Sequence, residues 1–266
     1  MKERVKISII TICYNNERDI RPTLESVVNQ TYQDIEYIVV DGASTDGTMR
    51  IVNEYKDKIS RIISEPDNGM YEALNKGFRA ATGDVVGMIH AGDRLYDNSV
   101  VEKIAGFYTH NDVDVTYGHS KIVDGNDVPR RINRSPDYSR KLVQQGWMPS
   151  HQSIYCRREL FEKYGYYRTD LGSGGDYEWF VRYFYRYSDL VKIQLIDDYI
   201  VRFSLGGQST KNVWRKLSKK HFDYVKCCWK LNGVTPPHLI VWKMFLRKVP
   251  QYILAYIQNE RKERDK

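Results

Sequence analysis

Four aspartates of the 266-residue chain, Asp41, Asp67, Asp93 and Asp176, stand where one regular segment gives way to the next. In VVDGASTDGT (Val39 to Thr48) an acid ends a strand-like run and a Gly/Ser/Thr turn follows. A carboxylate at such a tip can accept hydrogen bonds from an imide N–H or a ribose hydroxyl. In MIHAGDRLYD a buried-strand run leads to His90 and then Asp93. A strand-end carboxylate suits Mg²⁺ or Mn²⁺, which prefer oxygen donors and keep waters and substrate phosphates in their shell.

Plainer readings accompany each segment. Ser44, Thr45 or Asp46 reads as the cap of the helix after Asp41, whereas Asp41 comes too early to cap it. Asp67-Asn68-Gly69 reads equally as a turn and cap, and Lys76 as a solvated helical lysine. His90 is a packed histidine or a ligand, and Asp93 followed by Arg94 is a simple ion pair in the plainest reading. Asp176 follows a Gly/Ser loop in GSGGDYEWF and would make a good helix N-cap.

The elements that must position these acids alternate over the first hundred residues. Strands are expected at 5–13, 35–40, 61–64 and 85–89, and helices at 19–30, 47–55 and 70–81, with Pro22 tolerated only in a first helical turn. Such alternation implies an α/β fold, a mostly parallel sheet with helices on both faces. Ligands then bind outside the carboxyl ends of the strands, where Tyr14-Asn15, Asp41, Glu65 to Gly69 and His90 to Asp93 collect. From about 114 to 210 the pattern is mixed, with helices near 157–164 and 177–187, and completes the same domain.

Together these motifs resemble glycosyltransferase family 2, whose fold is the Rossmann-like GT-A architecture, and the likeness runs from about Val5 to Ser209. SIITICYNN is similar to the family's opening strand and nucleotide loop. VVDGASTDGT and DNGMYEALNKGFRAATGD are similar to its second and third motifs, and MIHAGD stands in place of its DxD motif. The resemblance implies that Tyr14 stacks on or flanks the base, that Asp41 binds the base, and that Asp67 lies near the nucleoside. It further implies that Asp93 coordinates the divalent metal and that Asp176 is the catalytic base, with Glu178 as runner-up. Two departures stand out. The acidic motif keeps one carboxylate, so His90 or water would complete the metal shell. The family's arginine of the third motif corresponds to Leu74, which leaves Lys76 to contact phosphate. His151 is implied on the acceptor side or is structural. Arg202 belongs to a loop closing over the donor or pairs with Asp197 or Asp198.

The implied activity is inverting transfer from a nucleotide-diphosphate sugar, UDP-linked first, to a hydroxyl of a saccharide or lipid-linked acceptor in surface-polysaccharide assembly. Composition sets the alternatives. Residues 1–210 hold 27 Lys+Arg and 30 Asp+Glu, while residues 211–266 hold 14 and 4. The basic tail admits nucleic-acid binding, but no binding motif accompanies it, and no nucleic-acid partner is expected. The thinned acidic motif admits a catalytically inactive nucleotide-sugar binder. In the tail, Trp242, Phe245, Leu246, Val249, Ile253, Tyr256 and Ile257 fall on helical spacing among lysines and arginines. Residues 211–266 are thus expected as a basic amphipathic helical extension to the 1–210 domain, lying on an anionic membrane surface, on the body or on a second copy in a homo-oligomer. Four unpaired cysteines, no charge-free span long enough for a bilayer and no signal peptide predict a cytoplasmic chain, peripheral to the inner face of the membrane at most.

Overall fold

A computed structural model describes residues 4–204 and 219–235. The apolar set at 242–257 lies outside the described residues.

The first half folds as the alternation predicts. The β-branched runs form β1 (Ile7–Cys13), β2 (Ile35–Asp41), β3 (Arg61–Ser64) and β4 (Val85–Met88). They pair in parallel in the order β3-β2-β1-β4. Between them run α1 (Ile20–Val28), α2 (Thr48–Glu54) and α3 (Met70–Ala80). Pro22 sits in the first turn of α1, where its missing N–H would have had no helical partner. Ile20, Leu24 and Val27 recur at helical spacing and are buried against the sheet.

The second half adds β5 (Arg94–Leu95), α4 (Val100–His110), β6 (Val115–Val123), β7 (Pro129–Asn133) and α5 (Arg140–Gln144). It continues with β8 (Tyr155–Arg157), α6 (Glu159–Tyr164), α7 (Gly175–Val181) and β9 (Ile193–Ser204). Here the sheet departs from the parallel pattern: β8 is antiparallel to both β4 and β6, and β5 is antiparallel to β9, while β6 and β9 run parallel. The single sheet reads β3-β2-β1-β4-β8-β6-β9-β5, with β7 beside β6. Its parallel portion is the β3-β2-β1-β4 half.

Both faces are covered. On one, α1, α2 and α4 bury Ile7, Ile9, Tyr37 and Val39. On the other, α3, α6 and α7 bury Ile10, Ile38 and Val40 together with an aromatic group of Phe78, Phe161, Tyr167, Trp179, Tyr183 and Phe184. Each such side chain contributes about 1.5–3 kcal/mol by leaving water.

One further helix, α8 (Lys219–Leu231), belongs to the basic tail yet packs on α7. Cys228 and Trp229 are buried, and the Trp229 indole donates to the Tyr177 hydroxyl at 2.9 Å. Among the described residues no helix is long and apolar enough to cross a membrane.

Candidate active site

The register sets the edge on which the site is built. Cys13 lies opposite Asp41, and Asp41 opposite Ser64, so Tyr14, Gly42 and Glu65 emerge in one row. Beyond β4 the chain continues alongside β1, with Ile89 N–H on Ile10 O at 2.9 Å, and this carries Asp93 to the same edge.

Asp41 sits at the tip of β2, as expected, but it is fully buried. Its Oδ2 accepts the Ser44 N–H at 3.0 Å and the Ser64 hydroxyl at 2.7 Å, while Oδ1 accepts the Ser44 hydroxyl and the Cys13 thiol. Burial drives the Cys13 pKa far up, with the Asp41 charge adding to it, so the thiol stays a donor. Both of its oxygens thus bind the chain's own groups and hold the turn.

Asp67 is half-buried. Its Oδ1 accepts the Gly69 N–H at 2.8 Å in the turn before α3. Its Oδ2 lies over Gly42, so close that a Cβ there would stand 2.7 Å from it and 3.4 Å from the Tyr14 ring. Tyr14 is 62% exposed, unusual for an aromatic ring at the end of a buried strand. A glycine, an exposed ring and a carboxylate oxygen with a free lone pair therefore share one recess.

The two loops below are locked together. Asn15 N–H donates to the Ser44 hydroxyl at 2.9 Å, and Asn15 Oδ1 accepts the Thr45 N–H at 2.9 Å. Asp46, one of the three residues expected to cap α2, accepts the Thr48 N–H at 2.9 Å. Asn15 and Ala43 both hold left-handed backbone, with φ 50° and 62°.

Lys76 lies on α3. Its ammonium pairs with Glu65 at 3.0 Å and Glu72 at 3.8 Å and donates to Pro66 O at 2.8 Å, which braces the turn that carries Asp67. Leu74 is buried in the core. Two carboxylates thus hold the amine that the resemblance assigns to phosphate.

Asp93 is gripped on both oxygens. Gln152, itself buried, donates to Oδ2 at 2.6 Å while accepting the His90 N–H at 2.9 Å. The Ser204 N–H donates to Oδ1 at 2.9 Å. Burial pushes the Asp93 pKa up to about 6 against these hydrogen bonds and the nearby Arg94 charge. His90 is driven down to about 3, first by burial and then by His151, whose ring lies 5.3 Å away. Its imidazole is neutral, and neither ring nitrogen has a partner.

Among the described residues no group of three or more His, Cys, Asp or Glu could hold a metal. One carboxylate with a spare lone pair on each oxygen does fit a cation delivered with a diphosphate, since Mg²⁺ is commonly held by one or two carboxylates plus substrate phosphates. Arg202 stacks over Tyr96 at 4.6 Å and pairs with Asp127 at 3.5 Å, not with Asp197 or Asp198.

Asp176 is the second residue of α7, inside the helix rather than its N-cap. Its Oδ1 accepts the Tyr177 N–H at 2.7 Å and the Tyr71 hydroxyl at 3.1 Å. Tyr71 stands on α3 four residues after Asp67, so one helix ties the nucleoside recess to Asp176. Glu178 is buried and held by Arg182 at 2.9 Å and Asn232 at 3.2 Å, which removes it as an accessible base. Gln152, Tyr71 and Ser204 went unread in the sequence, since nothing local marks a glutamine, tyrosine or serine as the partner of a distant acid.

The glycosyl transferase family 2 model matches residues 8–166. The chain belongs to this family. An uncharacterized glycosyltransferase of Nostoc sp. is 33% identical over 172 residues, 60% of this chain and 53% of that protein. A PGL/p-HBAD biosynthesis glycosyltransferase of Mycobacterium bovis is 31% identical over 181 residues, 66% of this chain and 69% of its own length. The chain thus spans about half to two thirds of the curated relatives it matches. Solved structures share the GT-A-type fold. TarS 1–349 of S. aureus in complex with UDP-GlcNAc has a TM-score of 0.64 at 20% identity, covering 94% of this chain and 79% of its own. The mannosyltransferase PcManGT of Pyrobaculum calidifontis, in complex with GDP-Man and Mn²⁺, has a TM-score of 0.56 at 15% identity, covering 96% and 83%.

Proposed function

We propose that this protein is an inverting glycosyltransferase that moves a sugar from a UDP-sugar to a hydroxyl of a saccharide or lipid-linked acceptor. The observation that carries the reading is the recess of Tyr14, Gly42 and Asp67 on the same sheet edge as Asp93. A uracil would stack on the Tyr14 ring, and its imide N–H would donate to Asp67 Oδ2. The diphosphate would then extend toward Asp93. UDP-GlcNAc bound to TarS and family membership support a nucleotide-sugar donor.

In the reaction the bond between the anomeric carbon and the diphosphate oxygen breaks, and a bond to the acceptor oxygen forms on the opposite face. The acceptor proton passes to Asp176 Oδ2, the oxygen left free while Oδ1 serves Tyr71 and Tyr177. A base so placed is worth about 10²–10⁴ in rate. An α-linked donor gives a β-linked product. A divalent ion held by Asp93 would supply charge neutralisation on the leaving diphosphate. Gln152 and the Ser204 N–H orient that carboxylate. The basic charge of residues 211–266 favours an anionic bilayer as the place where a lipid-linked acceptor is met.

The test is release of nucleoside diphosphate from a panel of UDP-, GDP- and dTDP-sugars with Mn²⁺, alongside calorimetry with UDP. UDP binding with UDP release from one donor is expected. UDP binding without release from any donor would make the chain an inactive binder, and absence of both would end the reading.

A further inference from the structure

The Tyr71 hydroxyl donates to the same Asp176 oxygen that accepts the Tyr177 N–H, at 3.1 and 2.7 Å. The two contacts fill one oxygen, and among the described residues no donor is bonded to Oδ2. Tyr71 is held for this purpose from three sides. Its ring stacks on Tyr167 at 5.8 Å between centroids and 9° between planes. Its backbone belongs to the first turn of α3, immediately after the turn of Asp67 to Gly69. Gly175 lies against the third side: a Cβ there would stand 2.8 Å from the ring edge and 2.8 Å from Arg168 O, so no other residue fits beside this ring without a shift. Burial, with the Asp176 charge adding, drives the Tyr71 pKa far up, so the phenol remains a donor throughout the working range.

We infer that Tyr71 is a positioning residue for the reaction, which fixes the rotamer of Asp176 so that Oδ2 faces the acceptor hydroxyl. The inference rests on Asp176 acting as the base. Tyr71 aims Asp176 through this hydrogen bond. Because α3 begins at the nucleoside recess, a donor seated on Asp67 would set the helix that sets the base.

The experiment compares wild type, Tyr71→Phe, Gly175→Ala and Asp176→Asn on the nucleotide sugar that wild type hydrolyses fastest. Tyr71→Phe keeps the ring stack and removes only the donor. Its turnover should fall about tenfold, the scale of one lost hydrogen bond to a charged group. The Kd for UDP should stay within twofold, so that the loss falls on kcat and not on donor binding. Gly175→Ala, by displacing the ring, should reproduce the turnover loss with UDP affinity kept. Unchanged kcat in Tyr71→Phe with Asp176→Asn inactive would overturn the role of Tyr71 and leave the base assignment standing. Full turnover in Asp176→Asn would instead remove the base itself. Loss of UDP binding in Tyr71→Phe would recast Tyr71 as a donor contact and equally overturn the inference.

Discussion

On the parallel half of the sheet, the residues proposed to face the donor follow their own strands directly. Tyr14 comes one residue after β1, Gly42 one after β2, and Asp67 three after β3. On the antiparallel half, each residue of the site is completed from far along the chain. Gln152 reaches Asp93 across 59 positions, Ser204 reaches it across 111, and Tyr71 reaches Asp176 across 105. Parallel strands deliver every carboxyl end to one edge, so topology alone places the donor side. The catalytic side must be assembled by long-range contacts, and it is correspondingly dense in aromatic packing around Trp179 and Tyr183. The donor side is a row, and the base side is a docked assembly.

Breaking the base side has the largest expected effect. Asp176→Asn keeps the size of the side chain and can still accept from Tyr71, but it cannot take a proton. Turnover should fall by about 10²–10⁴, with UDP binding unchanged in calorimetry because the nucleoside recess lies on the other half. Loss of UDP affinity in this variant would show that the two regions are not separable.

The opposite end of the donor half supplies the next contrast. Glu36, near the start of β2, is a buried carboxylate like Asp41 near its end. Burial opposes its charge, but the Ser8 hydroxyl, the Thr82 N–H and hydroxyl, and Lys6 outweigh that and hold its pKa down to about 2 from 4.5. A depressed acid stabilises the fold above its unfolded pKa, and the contribution disappears as pH falls through the folded value. Wild type should therefore lose about 3 kcal/mol between pH 5 and pH 2 from this group alone. Urea melts across that range should show Glu36→Gln lacking this part of the pH dependence, with UDP affinity at neutral pH intact. An unaltered pH dependence would mean that other acids carry it.

Asp41 and Asp67 divide what the sequence could not. Both end motifs of the right composition, and both matched the family pattern, so a base-binding role for Asp41 was a fair expectation. What separates their surroundings is Gly42. Without a side chain it leaves room for Asp67 Oδ2 beside Tyr14, while Ser44 and Ser64 close around Asp41. Burial and hydrogen-bond saturation are three-dimensional properties, and spacing does not encode them. The α/β alternation, the strand ends and the aspartates were all readable because each is a local pattern. The antiparallel turn of the sheet at β8, helix α4 and the bracing of Lys76 were not, since each depends on partners far away in sequence. The consequence is measurable. Asp67→Asn should weaken UDP binding about tenfold with little change in melting temperature. Asp41→Asn should lower stability by about 1–3 kcal/mol, because an amide N–H₂ would face donors in a dry site, and should change UDP binding far less. The reverse pattern would return the base contact to Asp41.

The smallest effect concerns the turn between β2 and α2. Ala43 holds φ 62°, which costs a residue with a Cβ about 1–2 kcal/mol relative to right-handed backbone. Glycine would relieve that cost but bring about 0.4–1 kcal/mol of extra freedom to the unfolded chain. The difference favours Ala43→Gly by roughly 0.5–1 kcal/mol. It should appear as a higher urea midpoint at unchanged slope. Strain of this kind persists where surrounding contacts over-determine the backbone, here Asn15 N–H on Ser44 and Ser44 on Asp41. If the loop is held for the sake of the nucleoside, the relaxed variant should bind UDP less well while being more stable. If stability rises and UDP affinity does not fall, the conformation of Ala43 serves the fold of the donor half alone, and Gly42, Tyr14 and Asp67 suffice to form the recess.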